Sequence, residues 1–186
     1  MIKIIDTHTH LDAEEFDEDR AEAFARAREA GVGKVFLPAI DVKTTKAVLS
    51  LSHQYPGYAY PMIGLHPEEV KADWKEQLAE LRQILDEHRV QINTTVSDFI
   101  AIGEVGLDYY WSREFEHEQL QAFEEQVKWS VETRLPLMIH CRRRRTRWFI
   151  SCALTRKSCR EASFIVSRAI SARQRNCCLS TVSCWE

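Results

Sequence analysis

The sequence predicts an α/β fold, a parallel β-sheet whose strands alternate with helices, over its first 141 residues. Three observations carry this: five short apolar runs, amphipathic stretches between them, and polar residues gathered where the runs end. The runs are IKIID (2–6), KVFLPAI (34–40), YAYPMIGLH (58–66), FIAIGEVGL (99–107) and LPLMIHC (135–141). They are nearly continuous in hydrophobicity, as strands covered on both faces are.

The stretches between them read as helices. Residues 17–30, DEDRAEAFARAREA, open acidic, are rich in Ala and stop before Gly31, which suits both the dipole at a helix start and a glycine cap at its end. Residues 43–54 are bounded by Pro56 and Gly57. Leu78, Leu81 and Leu85 mark one face of 72–88, and Leu120, Phe123, Val127 and Val131 one face of 114–134.

With 186 residues, 45% of them hydrophobic and 28% charged, the chain has enough apolar surface for one substantial core. No run approaches the ~20 apolar residues of a spanning helix, and the N-terminus lacks the pattern of a cleaved leader. A cytoplasmic protein without a membrane partner is expected, and no protein partner is evident. Five of six cysteines (Cys152, Cys159, Cys177, Cys178, Cys184) crowd the last quarter, and Cys141, with no base placed beside it, reads as a small buried hydrophobe. Residues 142–186 hold ten Arg and one Lys against two acids, a charge of +9, which leaves −12 for the rest of a chain of net −3. They contain no Gly, Pro, Asp, His or Tyr, and so lack most turn and cap formers. Residues 143–186 therefore read as a basic tail separate from the 1–142 unit. One reading makes it a nucleic-acid-binding extension in which Trp148 stacks on a base. The other, which the cysteine surplus and missing residue types favour, is out-of-frame translation with no selected fold.

Sites in parallel α/β sheets lie at the C-terminal strand ends, and the polar residues fall there. The first strand ends in His8 and His10, between Asp6 and Asp12; the third in His66; the fourth carries Glu104 and Asp108; the fifth ends in His140. Residues two apart on a strand share a face, so His8 and His10 can converge on one divalent cation, with carboxylates orienting the rings or completing the shell. Glu104 lies between glycines that leave room for a close ligand. Asp6 and Asp108 read as orienting or turn-forming residues, and His53, His88 and His117, in helical stretches or at their ends, as surface residues.

DTHTHLD, GLHP, AIGEVGLDYY and LPLMIHCR, in this order and spacing, resemble the TatD family of metal-dependent deoxyribonucleases, within the amidohydrolase-like (β/α)8 barrels. The resemblance covers residues 1 to about 142. It implies a two-metal centre, with Mg2+ foremost and Mn2+ or Zn2+ as alternatives, hydrolysing phosphodiester bonds of DNA with 3′ to 5′ exonuclease character. Carried over by motif, His8 and His10 hold one metal, Glu104 bridges both as the catalytic carboxylate, His140 binds the second, and His66 and Arg142 lie near the substrate phosphate. A full barrel typically takes ~250 residues, so the expected fold is a truncated (β/α)8 barrel of about five strands with an unrelated tail. The family pattern also requires a further His and an Asp from later strands, and residues 141–186 contain neither. The competing expectation is thus a catalytically impaired fragment that keeps part of a metal site and binds metal or nucleic acid.

Overall fold

In the computed structural model, which describes residues 4–88, 98–142 and 164–167, the five apolar runs form strands and the stretches between them helices. The strands are β1 (Ile4–Asp6), β2 (Val32–Pro38), β3 (Ala59–Ile63), β4 (Ala101–Asp108) and β5 (Leu137–Arg142). The helices α1 (Arg20–Glu29), α2 (Val42–Gln54), α3 (Trp74–Glu87) and α4 (Glu116–Thr133) join them in turn. Neighbouring strands are parallel and stand in chain order. A strand–helix–strand link carries the chain back to where it began, so all C-terminal strand ends share one edge.

A sixth strand, β6 (Phe164–Ser167), pairs parallel with β5, Ser167 opposite His140. The sequence places these four residues in the tail because turn formers vanish after residue 141, yet Phe-Ile-Val-Ser has strand propensity and needs no turn residue to pair. The remaining tail, with its arginine and cysteine clusters, lies outside the described residues. The sheet curls into an open half barrel, with β1 and β6 at its edges among the described residues.

Burial explains why the strands read as they do. All eight residues of the central β4 are buried, whereas Ile4 and Ile5 on the edge strand β1 remain about half exposed. One cluster packs Leu81, Leu85, Phe99, Ile102, Leu107, Phe123 and Trp129 between the sheet and helices α3 and α4. A second gathers Phe24, Val35, Leu37, Val48 and Leu51 around α1 and α2. Each such side chain contributes about 1.5–3 kcal/mol when fully buried. The start of α2 is fixed by a reciprocal cap, Thr44 N–H donating to Asp41 Oδ1 (2.7 Å) and Asp41 N–H to Thr44 Oγ1 (2.9 Å). α1 is capped at Ala30, and the expected glycine, Gly31, follows it at φ +90°.

Candidate metal centre

Backbone hydrogen bonds between strand ends assemble the site. Regular pairing of β1 stops at Asp6, so His8 and His10 lie just past the strand rather than on it, held along β2 by Thr9 N–H donating to Phe36 O (3.1 Å). Their rings still converge, Nε2 to Nε2 at 3.1 Å. β4 loses register between Ile102 and Val105, and within that irregularity Glu104 N–H donates to Ala39 O beyond β2 (2.9 Å). Such bulges re-aim side chains. His66 N–H donates to Ile40 O (2.8 Å), which brings the end of β3 to the same place. His140, from β5, completes the group.

The glycines around Glu104 serve a different purpose from the one the sequence suggests. A Cβ on Gly103 would strike the Met138 Cβ, and one on Gly106, whose φ is +150°, would strike the His140 carbonyl oxygen. The space they leave is filled by β5, which is how His140 comes so close to Glu104.

Glu104 is 3% exposed and its two oxygens face different histidines. Oε2 lies 3.3 Å from His8 Nε2 and 3.9 Å from His10 Nε2. Oε1 lies 3.0 Å from His140 Nδ1 and 4.0 Å from His66 Nε2. Metal bonds of about 2.1 Å meeting at roughly 90–109° place neighbouring donor atoms ~3.0–3.4 Å apart. The His8–His10, His8–Glu104 and His140–Glu104 separations fall in that range, so these donors fit divalent cations. The wider His10–Glu104 edge involves the most exposed of these rings, with 38% of its side chain in solvent.

Tautomers separate His140 from His66. His140 Nε2 faces Asp108 Oδ2 at 2.8 Å; donating there leaves the Nδ1 lone pair for a cation beside Glu104 Oε1, the carboxylate–histidine–metal arrangement. His66 caps a 3-10 turn (Pro67–Glu69), and its Nδ1 accepts from Glu68 N–H (3.2 Å). Neutral His66 therefore carries its hydrogen on Nε2, which makes that atom a donor towards Glu104 rather than a ligand. Its ligand atom does lie within 4.8 Å of those of Glu104 and His140, but proximity does not supply a lone pair.

Burial, only partly opposed by the Glu104 carboxylate, pushes His66 down to about 4. Burial likewise lowers His8 despite Glu104. In the metal-free chain burial alone would raise Glu104, but a hydrogen bond from protonated His140, whose Nδ1 hydrogen a cation would displace, and the charges of His8 and His66 outweigh it and hold the carboxyl at about 2. His140 is lowered by burial yet lifted above the ordinary imidazole value by Glu104 and then Asp108.

The His66 shift has a measurable consequence in the metal-free chain. Above pH 6.5 His66 is neutral in both folded and unfolded states and contributes nothing to pH dependence. Between 6.5 and about 4 the unfolded chain takes up a proton that the folded one refuses, so stability falls with pH. The loss approaches ~3 kcal/mol. Urea unfolding at pH 7 and pH 4.5 should show His66→Gln keeping about 2–3 kcal/mol more of its neutral stability than the parent chain. Equal acid losses in both would contradict the buried neutral His66.

Two amides on the inner face of α4 brace the site from behind, and no sequence motif announces them. Gln126 accepts from Leu65 N–H (2.7 Å) and donates to Leu65 O (3.3 Å), pinning the residue before His66. Gln119 accepts from Asp108 N–H (3.1 Å). The readable signal was spacing: seven apart, both fall on the buried stripe with Ala122 and Phe123. Asp12 is also closer to the site than a flanking role implies, its buried Oδ1 lying 3.9 Å from His10 Nδ1 without a hydrogen-bond partner among the described residues. Arg142 ends β5 opposite Asp108; its side chain and that of Cys141 lie outside the described residues. His53 and His117 are exposed, and His88 pairs with Asp98 (2.8 Å) away from the centre.

The sequence profile of TatD-related DNases matches residues 5–166, which takes in the whole site and extends past residue 142 to β6. The chain belongs to the TatD-related DNase family. Among relatives, the uncharacterised metal-dependent hydrolase YabD of Bacillus subtilis is 31% identical over 139 residues, covering 75% of this chain and 51% of that protein. The 3′-5′ ssDNA/RNA exonuclease TatD of Erwinia tasmaniensis is 32% identical over 149 residues, covering 80% and 53%. The crystal structure of the TatD homologue YjjV from Escherichia coli superposes with a TM-score of 0.71 at 29% identity, covering 84% of this chain and 56% of that one. The chain thus spans about half the length of the TatD relatives it matches. No helix among the described residues is long and apolar enough to cross a membrane.

Proposed function

We propose that the chain carries the metal-binding half of a DNase centre that hydrolyses phosphodiester bonds of single-stranded DNA from the 3′ end, in the cytoplasm. The observation that carries this reading is the division of Glu104, one oxygen towards His8 and His10 and the other towards His140. A carboxylate ionised down to about pH 2 can serve two cations at once and offset part of their charge. His8, His10, Glu104 and His140 would hold divalent ions, with Mg2+ foremost and Mn2+ or Zn2+ as alternatives, which would supply an activated water and offset phosphoryl charge. Asp108 holds the His140 tautomer, and neutral His66 presents Nε2–H to a phosphate oxygen, with Arg142 as a second phosphate contact. The name of the Erwinia relative, a 3′-5′ ssDNA/RNA exonuclease, supports DNA as substrate.

The absence of His and Asp from residues 141–186 favours a second reading, a site that binds metal with little turnover. General-base assistance is worth typically ~10²–10⁴ in rate. Residues 1–186 should therefore release nucleotides from 3′-labelled single-stranded DNA, with Mg2+ or Mn2+, ~10²–10⁴-fold more slowly than the Erwinia exonuclease assayed alongside. Glu104→Ala should remove that release. Turnover equal to the relative's would require a base among residues 1–186 outside this assignment. Release no greater than the Glu104→Ala background, with Mn2+ still bound, would favour the second reading.

A further inference from the structure

The loop after β4 turns two aromatic side chains outward beside the metal centre. Trp111 is 71% exposed, the most exposed large apolar side chain among the described residues, and Tyr110 is 45% exposed. Single exposed hydrophobes are ordinary, but here the rings touch, centroids 4.7 Å apart at 82°, and form a patch. The loop that presents them is held from both sides. Tyr110 N–H donates to Asp108 Oδ1 (2.8 Å), the carboxylate whose other oxygen meets His140. Tyr109 is buried and its hydroxyl donates to Glu116 O (3.3 Å), while Arg113 Nε donates to Glu116 Oε2 (2.7 Å).

We propose that Tyr110 and Trp111 form a stacking platform for the unpaired bases of a single-stranded nucleic acid whose phosphate enters the Glu104 centre. The proposal rests on the hydrolase reading above and adds what that reading lacks, a surface that selects strands with free base faces. Trp111 is three residues from Asp108, so at ~3.6 Å per residue its backbone lies within about 11 Å of that carboxylate. A stacked strand advances about 3.4 Å per nucleotide, which puts the platform within roughly three nucleotides of Asp108. Aromatic faces take any base, and only strands whose bases are unstacked can offer them. A duplex keeps its faces inside the stack and gains nothing from this loop.

The test is fluorescence anisotropy of the 186-residue chain with a labelled oligo(dT) and with an abasic strand of equal length and charge. EDTA is present throughout, so the readout is binding and not cleavage. The parent chain should prefer oligo(dT) by about tenfold. Trp111→Ala should bring oligo(dT) affinity down to that of the abasic strand while leaving abasic binding unchanged, which also reports an intact fold. Trp111→Phe should retain most of the preference. Equal binding of the two strands by the parent chain, no binding of either, or a preference that survives Tyr110→Ala together with Trp111→Ala overturns the proposal. A base preference that persists where no Glu104-dependent cleavage is found supports the platform while the hydrolase reading fails, so the two are separable.

Discussion

Glu104→Ala should abolish the thermal stabilisation expected when Mn2+ is added to the chain. At a free concentration of 100 Kd a single bound ion adds about 2.7 kcal/mol. For a chain of this size that raises Tm by roughly 5–10 °C. The shift should fall below about 1 °C in the variant at the same Mn2+ concentration, since losing even an outer-shell partner typically costs 10–100-fold in affinity and Glu104 contacts both sides directly. His66→Gln should leave the shift intact, because Nε2 of His66 carries a hydrogen while Nδ1 accepts from Glu68. Differential scanning fluorimetry with and without Mn2+ reads all three proteins. A Glu104→Ala chain that keeps more than half the parent shift would mean that the histidines hold the ion without the carboxylate.

Gly106→Ala should cost about 2–5 kcal/mol of folding stability. The methyl group is forced onto a backbone at φ +150° and against the carbonyl oxygen of His140. A left-handed backbone costs roughly 1–2 kcal/mol for a non-glycine residue, and overpacking between two buried strands typically adds 1–3 kcal/mol. Gly31→Ala is the internal control, with φ at +90° but nothing within 4 Å of the added carbon. It should cost only the backbone part, about 1–2 kcal/mol. Urea unfolding of the two variants separates the contributions, and equal costs would show that β5 yields without penalty. Because the displaced group is the His140 backbone, Gly106→Ala should also weaken Mn2+ binding, and Gly31→Ala should not.

The parts of this protein that follow from periodicity were legible in its sequence. Alternating apolar runs and helical stripes locate five strands and four helices, and the polar residues gathered at strand ends include His8, His10, His66, Glu104 and His140. Boundaries shifted where a hydrogen bond left the ladder. β3 stops at Ile63 rather than residue 66 because His66 N–H goes to Ile40 O and His66 then caps the following turn. The tautomer of His66 depends on the Glu68 amide, and no residue pattern encodes that. Gln119 and Gln126 look like polar helix positions until burial shows their amides bonded to strand backbone. The glycines flanking Glu104 suggest room for a ligand, whereas their close neighbour is strand β5. β6 is not legible in the sequence because four residues in an arginine-rich stretch without turns carry too little periodicity to stand out.

Anomalous X-ray scattering from crystals of the 186-residue chain grown with millimolar Mn2+ would show how Glu104 divides its oxygens between cations. Two peaks should flank Glu104, one bonded to Oε2 with His8 Nε2 and His10 Nε2, the other to Oε1 with His140 Nδ1, with no bond from His66 to either. The second peak should be the weaker, as it draws fewer ligands from the described residues. One peak shared by both carboxylate oxygens, or an ion bonded to His66 Nε2, would contradict the division of Glu104 between two cations.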